Sequence, residues 1–196
     1  MHDRIKEYMI AVKELYMKTR HACILFASSF ALLSCAGAPA GREPLTLVPV
    51  VDVERYLGRW YEIARFQHSF EKNIVGATAE YSLRNDGKIK VLNSGFKKDL
   101  AGPYTKVEAV ARVPDASRPG ALRVKFFGLF DADYLIFGLD AAHYSWALVG
   151  NNSRNFLWLL ARTPEIDQTL YDEMIEIARH QGFSVENLFK VPQKQR

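Results

Sequence analysis

Cysteine is almost absent from this chain. Of 196 residues only Cys23 and Cys35 are cysteines, and both precede residue 36. The rest of the chain therefore holds no disulfide staple, no thiol nucleophile and no cysteine-ligated metal centre. Histidine is nearly as scarce there: His68, His143 and His180 remain, without metal-ligand spacing among them. Ala22 to Leu33 is a run of 12 apolar and small residues, too short for the roughly 20 that span a bilayer as a helix. No large excess of one charge is present either. The formal charge of +4 falls to +2 beyond residue 34, because residues 1–34 hold five of the 26 Lys and Arg and three of the 22 Asp and Glu. Bases and acids intersperse as on solvated strand faces, which excludes a nucleic-acid footprint. Gly-x-Ser-x-Gly, phosphate-loop and nucleotide-binding fingerprints are all missing.

The sequence does hold a leader. From Met17, the basic residues Lys18, Arg20 and His21 precede the apolar run, which ends in Leu32-Leu33-Ser34-Cys35-Ala36. That ending resembles the lipobox of bacterial lipoproteins, in which the cysteine thiol takes a diacylglyceryl group and cleavage leaves it as the first residue. The resemblance makes residues 1–34 a leader, with the signal peptide at 17–34, and makes Cys35 the site of lipid attachment. Ala36, where an Asp would direct retention in the inner membrane, implies outer-membrane anchoring with the domain facing the periplasm. Met1 to Tyr16 precede this signal awkwardly, and Met17 is read as the initiator. Residues 35–50, with Gly37, Pro39, Gly41, Pro44 and Pro49, read as the lipidated cysteine and a tether.

Beyond the tether, apolar residues alternate with polar ones. Ala77, Ala79, Tyr81 and Leu83 interleave with Thr78, Glu80 and Ser82, and Leu122, Val124 and Phe126 with Arg123 and Lys125. Period two with one apolar face is half-buried antiparallel sheet. Turn signals such as Asn85-Asp86-Gly87, Ser117-Arg118-Pro119-Gly120 and Asn151-Asn152-Ser153 divide the chain into about eight strands. They fall near 59–67, 76–84, 88–97, 105–113, 121–127, 133–139, 143–150 and 155–161. Eight meandering strands fit an up-and-down barrel or a sandwich, and alternation alone does not choose. Ile166, Leu170, Met174, Ile177 and Ala178 then recur at helical spacing, behind Thr163 and Pro164 as N-cap and first-turn proline and before Gly182. Phe183 to Val191 reads as a short closing strand or tail.

Gly58-Arg59-Trp60-Tyr61-Glu62-Ile63-Ala64-Arg65 is answered a hundred residues later by Leu159-Leu160-Ala161-Arg162-Thr163-Pro164. A glycine that lets a tryptophan turn into a closed space, with a distant arginine over the indole, makes a plug for one end of a barrel. With Thr78-Ala79-Glu80-Tyr81-Ser82-Leu83 and Phe126-Phe127-Gly128, these runs resemble the lipocalins, and within them the bacterial outer-membrane lipoprotein branch, over about residues 51–193. The resemblance implies an all-β fold, an eight-stranded antiparallel up-and-down β-barrel with one C-terminal α-helix on its wall. It gives Gly58, Trp60 and Arg162 a structural role as the plug. One departure is Gly150 after Ala147-Leu148-Val149, where relatives often carry a cysteine.

The inward faces decide what binds. Ala77, Ala79, Ala109 and Ala111 leave volume, and Tyr81, Val91, Asn93, Val124, Phe126, Tyr134, Trp146 and Trp158 complete the expected cavity wall. Ile89, Leu122 and Ile136 share that pattern, and Asn93, Tyr134 and Lys125 are candidates for a headgroup at the mouth. Any one of these residues is more often plain core than a ligand contact; it is the set, small residues facing large aromatics, that suggests a cavity. Glu62 and Arg65 are placed to pair as structural ions. No catalytic residue, cofactor or metal is expected. The reading is a lipid-anchored carrier of fatty acids or lysophospholipids, serving lipid storage, transport or membrane maintenance. Its rivals are a carrier of haem, retinoid or a sterol-like ligand, a filled-barrel structural lipoprotein, and an isomerase or de-epoxidase that lacks an evident acid pair. A homodimer is left open. N-terminal sequencing of the precursor is expected to begin at Met17; a precursor carrying His2 contradicts that start.

Overall fold

The computed structural model describes residues 42–194. Cys35, the segment read as a leader and the first part of the expected tether lie outside the described residues. The described residues divide between two compact units; the β domain covers 43–67 and 71–194, and His68–Phe70 belong to the other. Within that short segment the imidazole and the Phe70 ring stack with centroids 5.4 Å apart.

A single helical turn, α1 (Val53–Tyr56), leads into eight antiparallel strands: β1 (Gly58–Phe66), β2 (Ile74–Leu83), β3 (Ile89–Lys97), β4 (Tyr104–Arg112), β5 (Ala121–Phe126), β6 (Phe130–Leu139), β7 (Trp146–Gly150) and β8 (Leu157–Ala161). Each pairs with the next, and β1 pairs with both β8 and β2, so the sheet closes on itself as a barrel. Helix α2 (Gln168–His180) follows, then a 3-10 turn (Val185–Asn187) and β9 (Leu188–Lys190). β9 pairs with β1 at Ala64–Phe66, beyond the Gly58–Tyr61 stretch that pairs with β2. The tail continues the closure: Gly76 N–H donates to Pro192 O, and the Gln193 amide donates to Glu62 O and Ala77 O.

The expected strands agree with the observed ones to within a few residues, and the differences come from turn chemistry. β7 starts three residues late because the Asp140 carboxylate accepts from the Ala142, His143 and Ser145 amides and holds 140–145 as a turn. β8 starts two residues late because Asn151 Oδ1 accepts from Asn155 and Phe156 N–H in the same way. β6 begins three residues early, since Phe127 and Gly128 both take positive φ, 51° and 71°, and confine the reversal to 127–129.

Helix α2 is capped by Asp167, whose side chain accepts from Leu170 N–H at 2.8 Å. The expected cap at Thr163 and Pro164 is four residues early: Thr163 Oγ1 instead donates to Glu165 O. At the other end Gly182, at φ 84°, lets Phe183 N–H reach Ala178 O and its own N–H reach Arg179 O, a Schellman closure.

Alternation separates two apolar clusters. One lines the barrel interior and includes Trp60, Ala79, Tyr81, Val91, Ala111, Ile136 and Leu160. The other lies between the outer wall and α2, and includes Ala64, Phe66, Leu148, Leu159, Met174, Ala178 and Phe183. Leu45 joins the outer cluster, and Val48 N–H donates to Ile136 O, so the end of the segment read as tether is fastened to the wall.

Gly150 has a physical reason. A Cβ there would lie 2.6 Å from Phe183 Cζ and 2.9 Å from Phe156 O, so the Phe183 ring fills the space a cysteine would need. Gly150→Ala is expected to cost about 1–3 kcal/mol by overpacking, read by denaturant unfolding; unchanged stability contradicts this account of the position.

Candidate functional site: the barrel interior

The barrel has a closed end, and Trp60 makes it. Its side chain is fully buried, its Nε1–H donates to Tyr56 O at 2.8 Å, and the Arg162 guanidinium carbon lies 3.8 Å from its ring centroid. Arg162 donates Nη1–H to Arg59 O at 2.9 Å, Nη2–H to Arg55 O at 2.7 Å and Nε–H to Tyr144 O at 3.2 Å. One planar cation therefore ties the end of α1, the start of β1 and the β6–β7 turn through a carbonyl of each. Gly58, at φ 89°, makes the turn into β1, and a Cβ on it would lie 3.4 Å from Arg162 Nη1. Arg55 repeats the theme beside it, over the Tyr144 ring at 4.2 Å.

Above the plug, three phenols meet. Tyr56 Oη and Tyr81 Oη each lie 2.8 Å from Tyr134 Oη. Burial, the largest cause in each case, pushes all three well above the ordinary tyrosine value, so they stay neutral. Tyr56 comes from α1, Tyr81 from β2 and Tyr134 from β6, so the chain of hydroxyls also fastens the floor to two walls.

A charged group occupies the same interior further along β1. A register shift between Glu62 and Ala64 lets both Glu62 and Arg65 avoid the outer face, where Ile63, Ala64 and Phe66 lie. Arg65 Nη1–H donates to Glu62 Oε2 at 2.9 Å, and Nη2–H donates to Glu71 O and Ile74 O. Glu71 Oε2 lies 3.4 Å from Arg65 Nε and accepts from Trp158 Nε1–H at 3.3 Å. Arg65 is 1 % exposed and Glu62 5 %, so the expected pair exists but sits inside the wall. Two carboxylates share one guanidinium here. Burial, and then the Glu62 charge, push the Glu71 carboxyl up to about 8, against the pull of Arg65 and the Trp158 bond.

The expected wall residues distribute as follows. Ala79, Tyr81, Val91, Ala109, Ala111 and Val124 are buried in the inner cluster, with Phe126, Tyr134 and Trp158 half-buried against it. Ala77 is buried on the same strand face as Ala79, and half-buried Asn93 sits in register with Ala79 and Val107. Trp146 is a correction: it joins the outer cluster beside α2, because Ala147 and Val149 take the inward phase of β7. Two of the three mouth candidates are corrected as well: Lys125 alternates with inward Val124 and Phe126 and pairs in register with Val110 and Asp131, and Tyr134 lies at the closed end, bonded to Tyr56 Oη. Sequence reasoning missed Tyr56 and Glu71. Both lie outside the strands, where no periodicity marks a side chain as inward.

Comparison with known proteins agrees with this geometry. The family described as lipocalin-like domain matches residues 51–193. The outer membrane lipoprotein Blc of Vibrio cholerae is 39% identical over 173 residues, covering 88% of this chain and 99% of that protein. Its Escherichia coli K12 namesake is 40% identical over 166 residues, covering 85% and 92%. Temperature-induced lipocalin-1 of Arabidopsis thaliana is 35% identical, with 78% and 84% covered. Among solved structures, insecticyanin of the tobacco hornworm superposes with a TM-score of 0.65 at 18% identity, over 81% of this chain and 89% of that one, a likeness of fold.

Two predictions follow from the interior. Arg162→Ala removes the indole contact and three hydrogen bonds, and is expected to cost about 2–4 kcal/mol, read as a melting temperature lower by roughly 5–10 °C; full retained stability refutes the plug. Glu71 binds its proton more tightly when folded than at its ordinary value of 4.5. Between about pH 4.5 and 8 the unfolded chain has lost a proton the folded one keeps, so stability falls as pH rises through that window. Glu71→Gln is expected to flatten this fall in melting temperature measured against pH, and an unaltered slope contradicts it.

Proposed function

The chain belongs to the lipocalin-like family, and on that premise we propose that it is a lipid-anchored outer-membrane protein whose barrel holds a fatty acid or lysophospholipid, for lipid storage, transport or membrane maintenance. The observation that carries the reading is the uneven burial of the inward faces. Ile136, Ala147 and Val149 are fully buried, whereas Asn93, Phe126, Tyr134 and Trp158 point the same way and keep part of their surface. Alanines at 77, 79, 109 and 111 stand where larger side chains would fill the lumen.

An acyl chain suits such a lining. Burying about ten methylenes contributes roughly 8 kcal/mol before ordering costs, which places affinity near micromolar or weaker. No residue of the interior is assigned a catalytic role, and the reading is of a binder. The names of the Blc relatives support the outer-membrane anchor, with Cys35 as the lipidated residue and the domain facing the periplasm. Two or more acyl chains on that cysteine give stable anchoring, because each buried methylene contributes about 0.8 kcal/mol.

The test is native mass spectrometry of the domain from Ala36 onward, expressed without its anchor, with extraction of whatever co-purifies. Fatty acid or lysophospholipid at close to one per barrel is expected. A protein that is empty and ignores added acyl chains contradicts the carrier reading and favours a filled barrel.

A further inference from the structure

The three interior phenols have one hydrogen too many. Each hydroxyl brings one donor, and the two bonds at Tyr134 consume two of the three. However the hydrogens are oriented, one O–H of the triad has no acceptor among the described residues. A buried hydroxyl left without an acceptor is costly, and asks for a partner from outside the protein. Tyr134 is where that partner can come. Tyr56 and Tyr81 are 4 % and 5 % exposed, but Tyr134 is half-buried among the inner cluster. Its oxygen can accept from both neighbours and point its own hydrogen into the lumen. Tyr81 is followed around the wall by Val91 and Ala109 in register, so small side chains flank the triad.

We propose that Tyr134 Oη is a specificity contact for a neutral oxygen carried along the ligand's acyl chain, a hydroxyl or keto group well away from the headgroup. This rests on the reading of the barrel as an acyl-chain carrier and adds a chemical class to it: oxygenated chains are preferred over plain ones. A carboxylate fits the position poorly. It would need several donors to offset burial, and the triad offers one. The guanidinium nearest the floor, that of Arg162, is stacked on Trp60 and directs its donors to Arg55, Arg59 and Tyr144 carbonyls.

The experiment compares stearic acid with positional series of ketostearic and hydroxystearic acids, by displacement of a fluorescent acyl probe from the delipidated full-length protein. At least one position is expected to bind about three- to tenfold tighter than stearate, the worth of one net hydrogen bond, with keto and hydroxyl agreeing on the position. Tyr134→Phe is expected to bring that ratio to one whatever it does to stearate affinity itself, which a merely structural tyrosine would not do. If stearate binds and no position improves on it, the proposal is overturned and the carrier reading stands; the wild-type series decides this even if the variant does not fold. If no acid binds, the carrier reading fails and takes the proposal with it. A preference that survives Tyr134→Phe overturns the proposal. So does a stearate that loses affinity both in that variant and as its methyl ester, because the acceptor would then be the carboxylate.

Discussion

The Trp60–Arg162 contact closes the barrel, and the remainder of the interior depends on that closure. An indole alone would fill the space, but it would not join α1, β1 and the β6–β7 turn, whose Arg55, Arg59 and Tyr144 carbonyls lie beside it. The guanidinium answers all three while its plane covers the ring. Because Arg162 follows β8 directly and Gly58 opens β1, the two strands that join the ends of the sheet are also the two that carry the plug. Closing the sheet and closing one end are thus a single event in space, although about a hundred residues separate its parts.

A barrel so closed has two apolar faces to satisfy, and they have different partners. The outer face has α2, which turns Met174 and Ala178 onto Leu148, Leu159 and Phe183. The inner face has only itself, and its contributions are unequal, with fully buried aliphatics on β6 and β7 and alanines on β2 and β4. The polar groups inside are each partly answered: the Glu62–Arg65–Glu71 group has one cation for two carboxyls, and the tyrosine triad has two bonds for three hydrogens. A core under selection for packing alone has little use for such remainders. A lumen that receives a ligand does.

Much of this was legible in the sequence. Strict alternation gave strand positions, and turn residues gave their limits, because both are local. The distant pairing of Trp60 with Arg162 was readable only through resemblance, since no spacing rule joins residues so far apart. What alternation misjudged was phase. In β7 it offered Trp146 as wall when Ala147 and Val149 hold the inner face, since two neighbouring apolar sets both fit a strand buried on each side. The register shift after Glu62 is likewise invisible in the pattern, yet it places Arg65 inside the barrel and Ala64 outside. The Thr163 cap failed because Asp167 caps the helix from closer by.

The central claim is that the inner face is a ligand chamber and the outer face a packing surface. A crystal structure of the protein soaked with a lysophospholipid tests it most directly. The account predicts acyl density inside the barrel, against Tyr134 and Trp158 and stopping above Trp60, with the surface under α2 unchanged. Density confined to the outer surface, or a lumen occupied by the protein's own side chains, would contradict it.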